Sequence, residues 1–135
     1  MARDAPDWVR TVAVTVIVEN EPVLPLPANE EAAGDTGKYS GTAQTYQEVV
    51  SWEISADKVG ELKEILILSD DYAHTLVQIT VAGVVWATDW TPQGSMPIIF
   101  EDLKLAAASE VKVEAESSDG TAIEVDVVIV GKEIG

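Results

Sequence analysis

SSDGTAIEVDVVIVG, residues 117–131, is the stretch that decides the fold class of this chain. Apolar side chains recur at every second position over residues 123–129, which is the period of a β-strand. The positions between them begin acidic and end apolar, with Val128 and Val130 as the last two. We therefore expect a strand that is apolar on both faces at its end and contacts a further surface.

The same two-residue period recurs along most of the chain, between turns rich in Gly, Pro, Asp and Ser. The segments that carry it are residues 11–18, 46–54, 62–68, 75–81, 84–90, 98–105 and 111–116. A short helix is the competing prediction over residues 61–69, because Leu and Glu favour helix. The two-sided apolar run ILIL within it favours a central strand, and Ala82-Gly83 between two apolar runs predicts a tight hairpin.

About eight strands without a long amphipathic helix predict an all-β fold. We expect a two-sheet antiparallel β-sandwich of the jelly-roll type. An immunoglobulin-like sandwich and an up-and-down barrel are the alternatives. The first and last strands have similar composition, and their pairing would protect both strand edges.

The length of 135 residues suits one domain, residues 1–135. We expect an N-terminal arm over residues 1–10, whose Trp8 docks on a neighbouring surface. A long Pro/Gly-rich connection is expected over residues 19–42, because proline removes strand hydrogen bonds. Its apolar side chains would dock on a neighbour or on the chain's own sheet, and they are Val23, Leu24 and Leu26.

The charge balance excludes several classes of partner. The chain has 24 acidic residues against 8 basic ones, a formal net charge of −16. Neither nucleic acid nor an anionic membrane surface suits so acidic a protein. The evenly spread acids indicate a solubilising surface, as would also arise in a salt-loving host. No leader peptide, membrane-spanning run or cysteine is visible.

Catalytic and metal-binding patterns are weak, so we expect neither an enzyme nor a cofactor. His74 is the single histidine; it could pair with Ser69 or Ser95, but no nucleophile motif surrounds either serine, and one histidine cannot build a multi-histidine zinc site. The weak candidates for calcium ligands are Asp70, Asp71 and Asp119, without EF-hand spacing. A paired-carboxylate glycosidase has one mild candidate acid, Glu48, which we expect to reach solvent.

Two tryptophans carry the clearest sign of binding. Trp86 and Trp90 lie four residues apart on a predicted strand, where even spacing places side chains on one face. With Thr88 between them they would form an aromatic platform that packs in the core, anchors a protein interface or stacks on a sugar ring.

Residues 52–135 resemble small structural proteins of tailed viruses, from bacteriophages or archaeal viruses. The similarity lies in five phrases, which are ISADKVGEL, SDDYA, TVAGV, FEDLKL and SSDGTA. The resemblance implies a jelly-roll capsid decoration (cement) protein or another minor structural protein on the virion surface, often trimeric. It implies the major capsid protein and further copies of the chain as partners.

The expected function is therefore that of a non-enzymatic virion protein that binds the capsid surface and itself. Its interface would include Trp8, Val128, Val130 and the apolar side chains of the Pro-rich connection. The alternative is a carbohydrate- or receptor-binding β-sandwich, such as a tail or fibre component, in which Trp86 and Trp90 form the platform.

Overall fold

The computed structural model describes residues 30–135, with only the backbone of Met96. Residues 31–135 form one compact unit. Within this part of the chain there is no α-helix, and no helix could span a membrane. The strands are β1 (Glu30–Gly41), β2 (Gln47–Glu53), β3 (Val59–Ser69), β4 (Thr75–Val81), β5 (Val84–Trp90), β6 (Met96–Leu105), β7 (Glu110–Ser117) and β8 (Ile123–Ile134).

The strands form two four-stranded antiparallel sheets that pack as a sandwich. The first sheet has the order β1-β8-β3-β6 and the second has the order β2-β7-β4-β5. Successive strands switch sheets at every connection of the described chain except the hairpin from β4 to β5. This alternation is the jelly-roll arrangement of two Greek keys, so the predicted fold class is confirmed.

The core lies between the sheets because the inward positions of each strand are apolar. In β8 the side chains of Ile123, Val125, Val127 and Ile129 are buried, while the alternate positions face outward. The same alternation holds in β4 and β7. Residues 61–69 belong to a strand with neighbours on both sides, β8 and β6, which confirms the strand prediction over the helical alternative.

The hairpin at residues 82–83 is also present. Ala82 and Gly83 both have positive φ, 50° and 82°, and they connect the paired residues Val81 and Val84. Positive φ at both central positions is the geometry of a tight two-residue hairpin turn.

The expected long connection over residues 19–42 needs a correction, because its second part, Glu30–Gly41, is strand β1. Two glycines allow this strand to pack closely. A Cβ on Gly34 would lie 2.0 Å from the carbonyl oxygen of Ile129, and one on Gly37 would lie 2.1 Å from that of Val49. Tertiary packing therefore overrides the low strand propensity of the segment. Residues 1–29, with the predicted arm and the predicted strand at 11–18, lie outside the described residues.

The last strand is an interior strand of its sheet. β8 is hydrogen-bonded to β1 on one side and to β3 on the other. The neighbours that protect its two edges are therefore residues 30–41 and 59–69. The strand expected at residues 11–18, and with it the pairing considered between the first and last strands, lies outside the described residues.

Candidate binding cleft

An open cleft lies between the β5 edge of the second sheet and the β6 edge of the first sheet. Its volume is about 790 Å³. Most of its lining is apolar or aromatic, and the residues are Ile79, Trp86, Ala87, Thr88, Asp89, Trp90, Ile98, Ile99 and Phe100. A concave, largely apolar site with a few polar groups is the usual form of a ligand-binding site.

The aromatic part of the cleft is a pair of rings from the two strands. The ring centroids of Trp86 and Phe100 lie 5.3 Å apart, and the ring planes are tilted by 49°, which is a favourable aromatic geometry. The Trp86 side chain is 51% exposed. Trp90 is half-buried and packs against the hydrophobic core. The cleft therefore has one accessible indole, held by Phe100, and a second indole that forms its base.

Register shifts in the β4–β5 pair explain why the two indoles differ. Trp90 is opposite Val77 and Ala87 is opposite Ile79, so β5 contains one more residue than β4 between these two pairs. A second shift follows between Ile79 and Thr80. Such bulges break the two-residue alternation and redirect side chains. Even spacing along the sequence therefore does not make Trp86 and Trp90 a flat platform, although both line the cleft.

The polar rim beside the cleft is organised by Tyr46 and Asp89. The Tyr46 hydroxyl donates to Asp89 Oδ1 at 2.7 Å and accepts from the Asp89 backbone N–H at 2.7 Å. Asp89 has a φ of 52°, which aspartate tolerates better than most residues. Burial, followed by the hydrogen bond to Asp89, raises the pKa of Tyr46, so the phenol keeps the proton that it donates to Asp89.

A second chain of hydrogen bonds runs across the outer face of the second sheet from Thr88. Thr88 Oγ1 donates to Gln78 Oε1 at 2.9 Å, and Gln78 Nε2 donates to Glu114 Oε1 at 3.0 Å. Burial and the charge of Asp89 raise the pKa of nearby Glu116. The rim therefore presents hydroxyl, amide and carboxylate groups next to an aromatic surface.

The predicted calcium ligands lie in turns, where they serve other contacts. Asp70 Oδ1 accepts from the backbone N–H of Glu124 at 2.9 Å. His74 Nδ1 lies 2.8 Å from Asp71 Oδ2, and its Nε2 lies 3.5 Å from Asp119 Oδ2. No three acidic or histidine side chains of residues 30–135 are placed to hold a metal ion. Three carboxylates that could have served a cation are used to stabilise the turns.

Glu48 reaches solvent because of another register shift. It is opposite Glu114, whereas Val50 is opposite Val113, so Val49 is an extra residue on β2. Val49 and Val50 are both buried and Glu48 is exposed. The carboxylate therefore lies outside the apolar interior.

Val128 and Val130 lie on the outer face of the first sheet. Val130 is 40% exposed, and Val128 is half-buried. They belong to an apolar surface that crosses β8, β3 and β6. We call this surface the outer-face patch, and it consists of Leu66, Leu68, Pro97, Ile99, Val128 and Val130.

Sequence patterns did not identify every residue of the cleft. Phe100 and Ile99 come from β6, and Tyr46 comes from the segment before β2. These residues meet Trp86 and Asp89 only through the pairing and packing of distant strands, for which the linear sequence carries no spacing signal. Trp8, Val23, Leu24 and Leu26, the other predicted interface residues, lie outside the described residues.

Comparison with known proteins gives little further information. No protein-family profile and no curated protein matches the chain. Among solved structures, the CBM36-1 domain of a multidomain xylanase from the hindgut metagenome of Trinervitermes trinervoides is similar at 15% identity and a TM-score of 0.33. The match covers 79% of this chain and 97% of that domain. At this TM-score the likeness identifies neither the fold nor a ligand.

Proposed function

We propose that this protein is a non-enzymatic binding module that holds a carbohydrate chain in the cleft between β5 and β6. The observation that carries the proposal is the exposed indole of Trp86, fixed against Phe100 at the mouth of a cleft of about 790 Å³. A large aromatic side chain that is half exposed in a concave site is typical of a ligand-contacting position.

Carbohydrate suits both parts of the site. The C–H faces of a pyranose ring stack on an aromatic ring, and the hydroxyl groups need donors and acceptors at the edge. Trp86 and Phe100 supply the aromatic surface, while Thr88, Asp89 and Tyr46 lie at the rim. The formal charge of −16 repels anionic sugars. A neutral glycan is therefore the expected ligand class.

A glycan array with the full-length protein tests this proposal. The Trp86→Ala variant is expected to lose at least about 90% of the signal for every bound glycan, which corresponds to a loss of about 1.4 kcal/mol or more. Val85→Ala is the matched control, because Val85 is also 51% exposed and adjacent on β5 but does not line the cleft. The control is expected to bind as the wild-type protein does.

Two outcomes would refute the carbohydrate proposal. One is the absence of binding to any neutral glycan by the wild-type protein at millimolar ligand concentrations. The other is an equal loss in the Trp86 and Val85 variants. Trp90→Ala is not a suitable test of contact, because Trp90 packs against the core and its removal would also lower stability.

A second candidate function is a virion structural protein, such as a capsid decoration protein, that binds the capsid surface and itself. The outer-face patch favours it, because exposed apolar side chains on a sheet face suit a surface that is buried on assembly. The resemblance of residues 52–135 to small tailed-virus proteins points the same way.

Purification of virus particles tests this second function. A capsid decoration protein is expected to sediment with particles at a fixed, high copy number per capsid. Its removal from the particles is expected to abolish no enzymatic activity. Absence of the protein from purified particles would exclude this function, and would leave the carbohydrate proposal intact.

A further inference from the structure

The outer-face patch crosses three neighbouring strands in register. Pro97, Leu66 and Val128 are directly abreast on β6, β3 and β8. One row further along, Ile99 and Val130 flank Glu64. Ile99 is 63% exposed, Val130 40% and Leu68 36%. A strongly acidic protein thus keeps one sheet face largely apolar, and this face meets the cleft at Ile99, which belongs to both.

The two ends of this face differ in charge along the strand direction. At one end Lys104 and Lys132 pair with the buried Glu61, and Lys63 pairs with Asp102, next to the exposed Glu101, so three ammonium groups lie among three carboxylates. The other end holds Asp70, Glu124 and Asp126, of which Lys38 pairs with the last two. That end has three carboxylates and one ammonium group.

We propose that two copies of this chain associate face to face through the outer-face patch, with the β3 strands antiparallel across a two-fold axis. This orientation lays the lysine-rich end of each copy over the acidic end of the other. An axis along the strands would instead place like ends together. An isologous contact of this kind uses the same patch on both copies, and buries the apolar rows between two charged borders.

The carboxylate of Glu64 provides a gain-of-association test. Glu64 is the only carboxylate, among the described residues, that lies between two members of the patch. Enclosing it between two sheets costs desolvation free energy. Glu64→Gln is therefore expected to lower the dissociation constant of the dimer several-fold. If this face is not an interface, the same change would leave the average mass in sedimentation equilibrium unchanged.

Loss of association is tested with a triple variant of the full-length protein. Sedimentation equilibrium of the wild type is expected to fit a dimer of the 14.4 kDa chain. Val128→Thr, Val130→Thr and Leu68→Thr together keep strand-compatible side chains, spare the cleft residue Ile99, and are expected to weaken the dimer at least about 100-fold. The control variant Val84→Thr/Val85→Thr removes equally exposed valines from β5 and is expected to stay dimeric.

The orientation is tested by mixing two single variants. Lys63→Glu and Asp126→Lys are each expected to weaken self-association, because the changed end meets a like charge in the partner. An equimolar mixture is expected to restore a dimer. In the mixed dimer, one of the two end-to-end contacts pairs the two reversed charges, and the other contact is native. Failure of the mixture to associate, with both variants folded by circular dichroism, would exclude the antiparallel arrangement.

Other results would overturn the proposal as a whole. A wild type that is monomeric at all concentrations would do so. A triple variant that stays dimeric would also do so. If the wild type and the triple variant are both monomeric and the variant melts at a lower temperature, the patch is covered within one chain. None of these outcomes depends on whether a glycan binds at Trp86.

Discussion

At the scale of single residues, the backbone of this protein takes unfavourable conformations at a few turns and bulges. Within residues 30–135, four residues other than glycine have positive φ, which are Ala82, Asp89, Asp102 and Ala108. Aspartate tolerates this region, whereas alanine gains no local hydrogen bond there. The two alanines therefore occupy turns that other residues would fit better, while Asp89 is additionally held by Tyr46.

Replacement of Ala82 by asparagine is expected to stabilise the protein. Asn-Gly is the preferred sequence for a two-residue turn with positive φ at both positions, so Ala82→Asn should raise the free energy of unfolding by about 0.5–1 kcal/mol. Urea denaturation measures the change. Ala122→Asn, at an exposed position without positive φ, is the control, and an equal gain there would contradict the explanation.

His74 makes stability depend on pH. Its hydrogen bond with Asp71, then the charge on Asp119, raises the pKa of the imidazole above its ordinary value. A raised pKa in the folded state stabilises the protein fully below the unfolded pKa, and this contribution is lost as pH rises through the folded pKa. The charged histidine thus links the turn before β4 with the turn before β8.

We expect the His74→Gln variant to melt below the wild type at about pH 5.5 and close to it at about pH 8.5. Thermal unfolding followed by circular dichroism at both values measures the difference. A gap that grows with pH, or one that is the same at both values, would show that the paired imidazolium does not stabilise these turns.

At the scale of elements, the sheets depend on close approaches that only glycine permits. Gly131 of β8 is buried beside β3 and β2. A Cβ at this position would lie 2.5 Å from the Glu61 carbonyl oxygen and 2.6 Å from the Trp52 ring. The Trp52 indole is itself fixed, because its Nε1 donates to Glu133 Oε2 at 3.3 Å. Neither neighbour can move without breaking a hydrogen bond or core packing.

Gly131→Ala is therefore expected to lower the free energy of unfolding by about 2–3 kcal/mol, as overpacking of a core does. Gly94→Ala is the matched control, because a Cβ there would have no atom within 4 Å. Chemical denaturation of both variants provides the comparison. A Gly131 variant as stable as the Gly94 variant would mean that β8 can shift away from Trp52.

The elements that sequence could predict are those in which local pattern and packing agree. The alternation in β4, β7 and β8 predicted which side chains are buried. β1 was missed because its glycines and charged residues lack strand propensity, and it is held by its pairing with β8. The bulges of β2 and β5 were also missed, since register depends on the partner strand.

At the scale of the whole molecule, the fold forms two surfaces with different properties, which meet at Ile99. The cleft between β5 and β6 has an exposed indole and a polar rim, whereas the outer-face patch is apolar between charged borders. Sequence identified Trp86, Trp90, Val128 and Val130, but not their grouping. That grouping follows from the order of the strands in the two sheets. It places Phe100 next to Trp86 in the cleft, and it places Ile99, Leu66 and Val130 on one face of the first sheet.

If both proposals hold, a dimer would carry two carbohydrate clefts. Two linked sites bind a repeating glycan more tightly than one, because the second contact is intramolecular. The gain depends on whether one ligand can span both clefts. The outer-face and cleft variants test the two surfaces separately.

The most direct test of the central claim is a titration of the protein with a soluble neutral oligosaccharide, followed by the assigned indole N–H signals in nuclear magnetic resonance spectra. We expect the Trp86 signal to shift most and that of Trp90 to shift less, while the Trp52 signal, from an indole held by Glu133 in the core, stays in place. Unchanged signals for Trp86 across neutral glycans of every common linkage, or shifts centred away from β5 and β6, would contradict it.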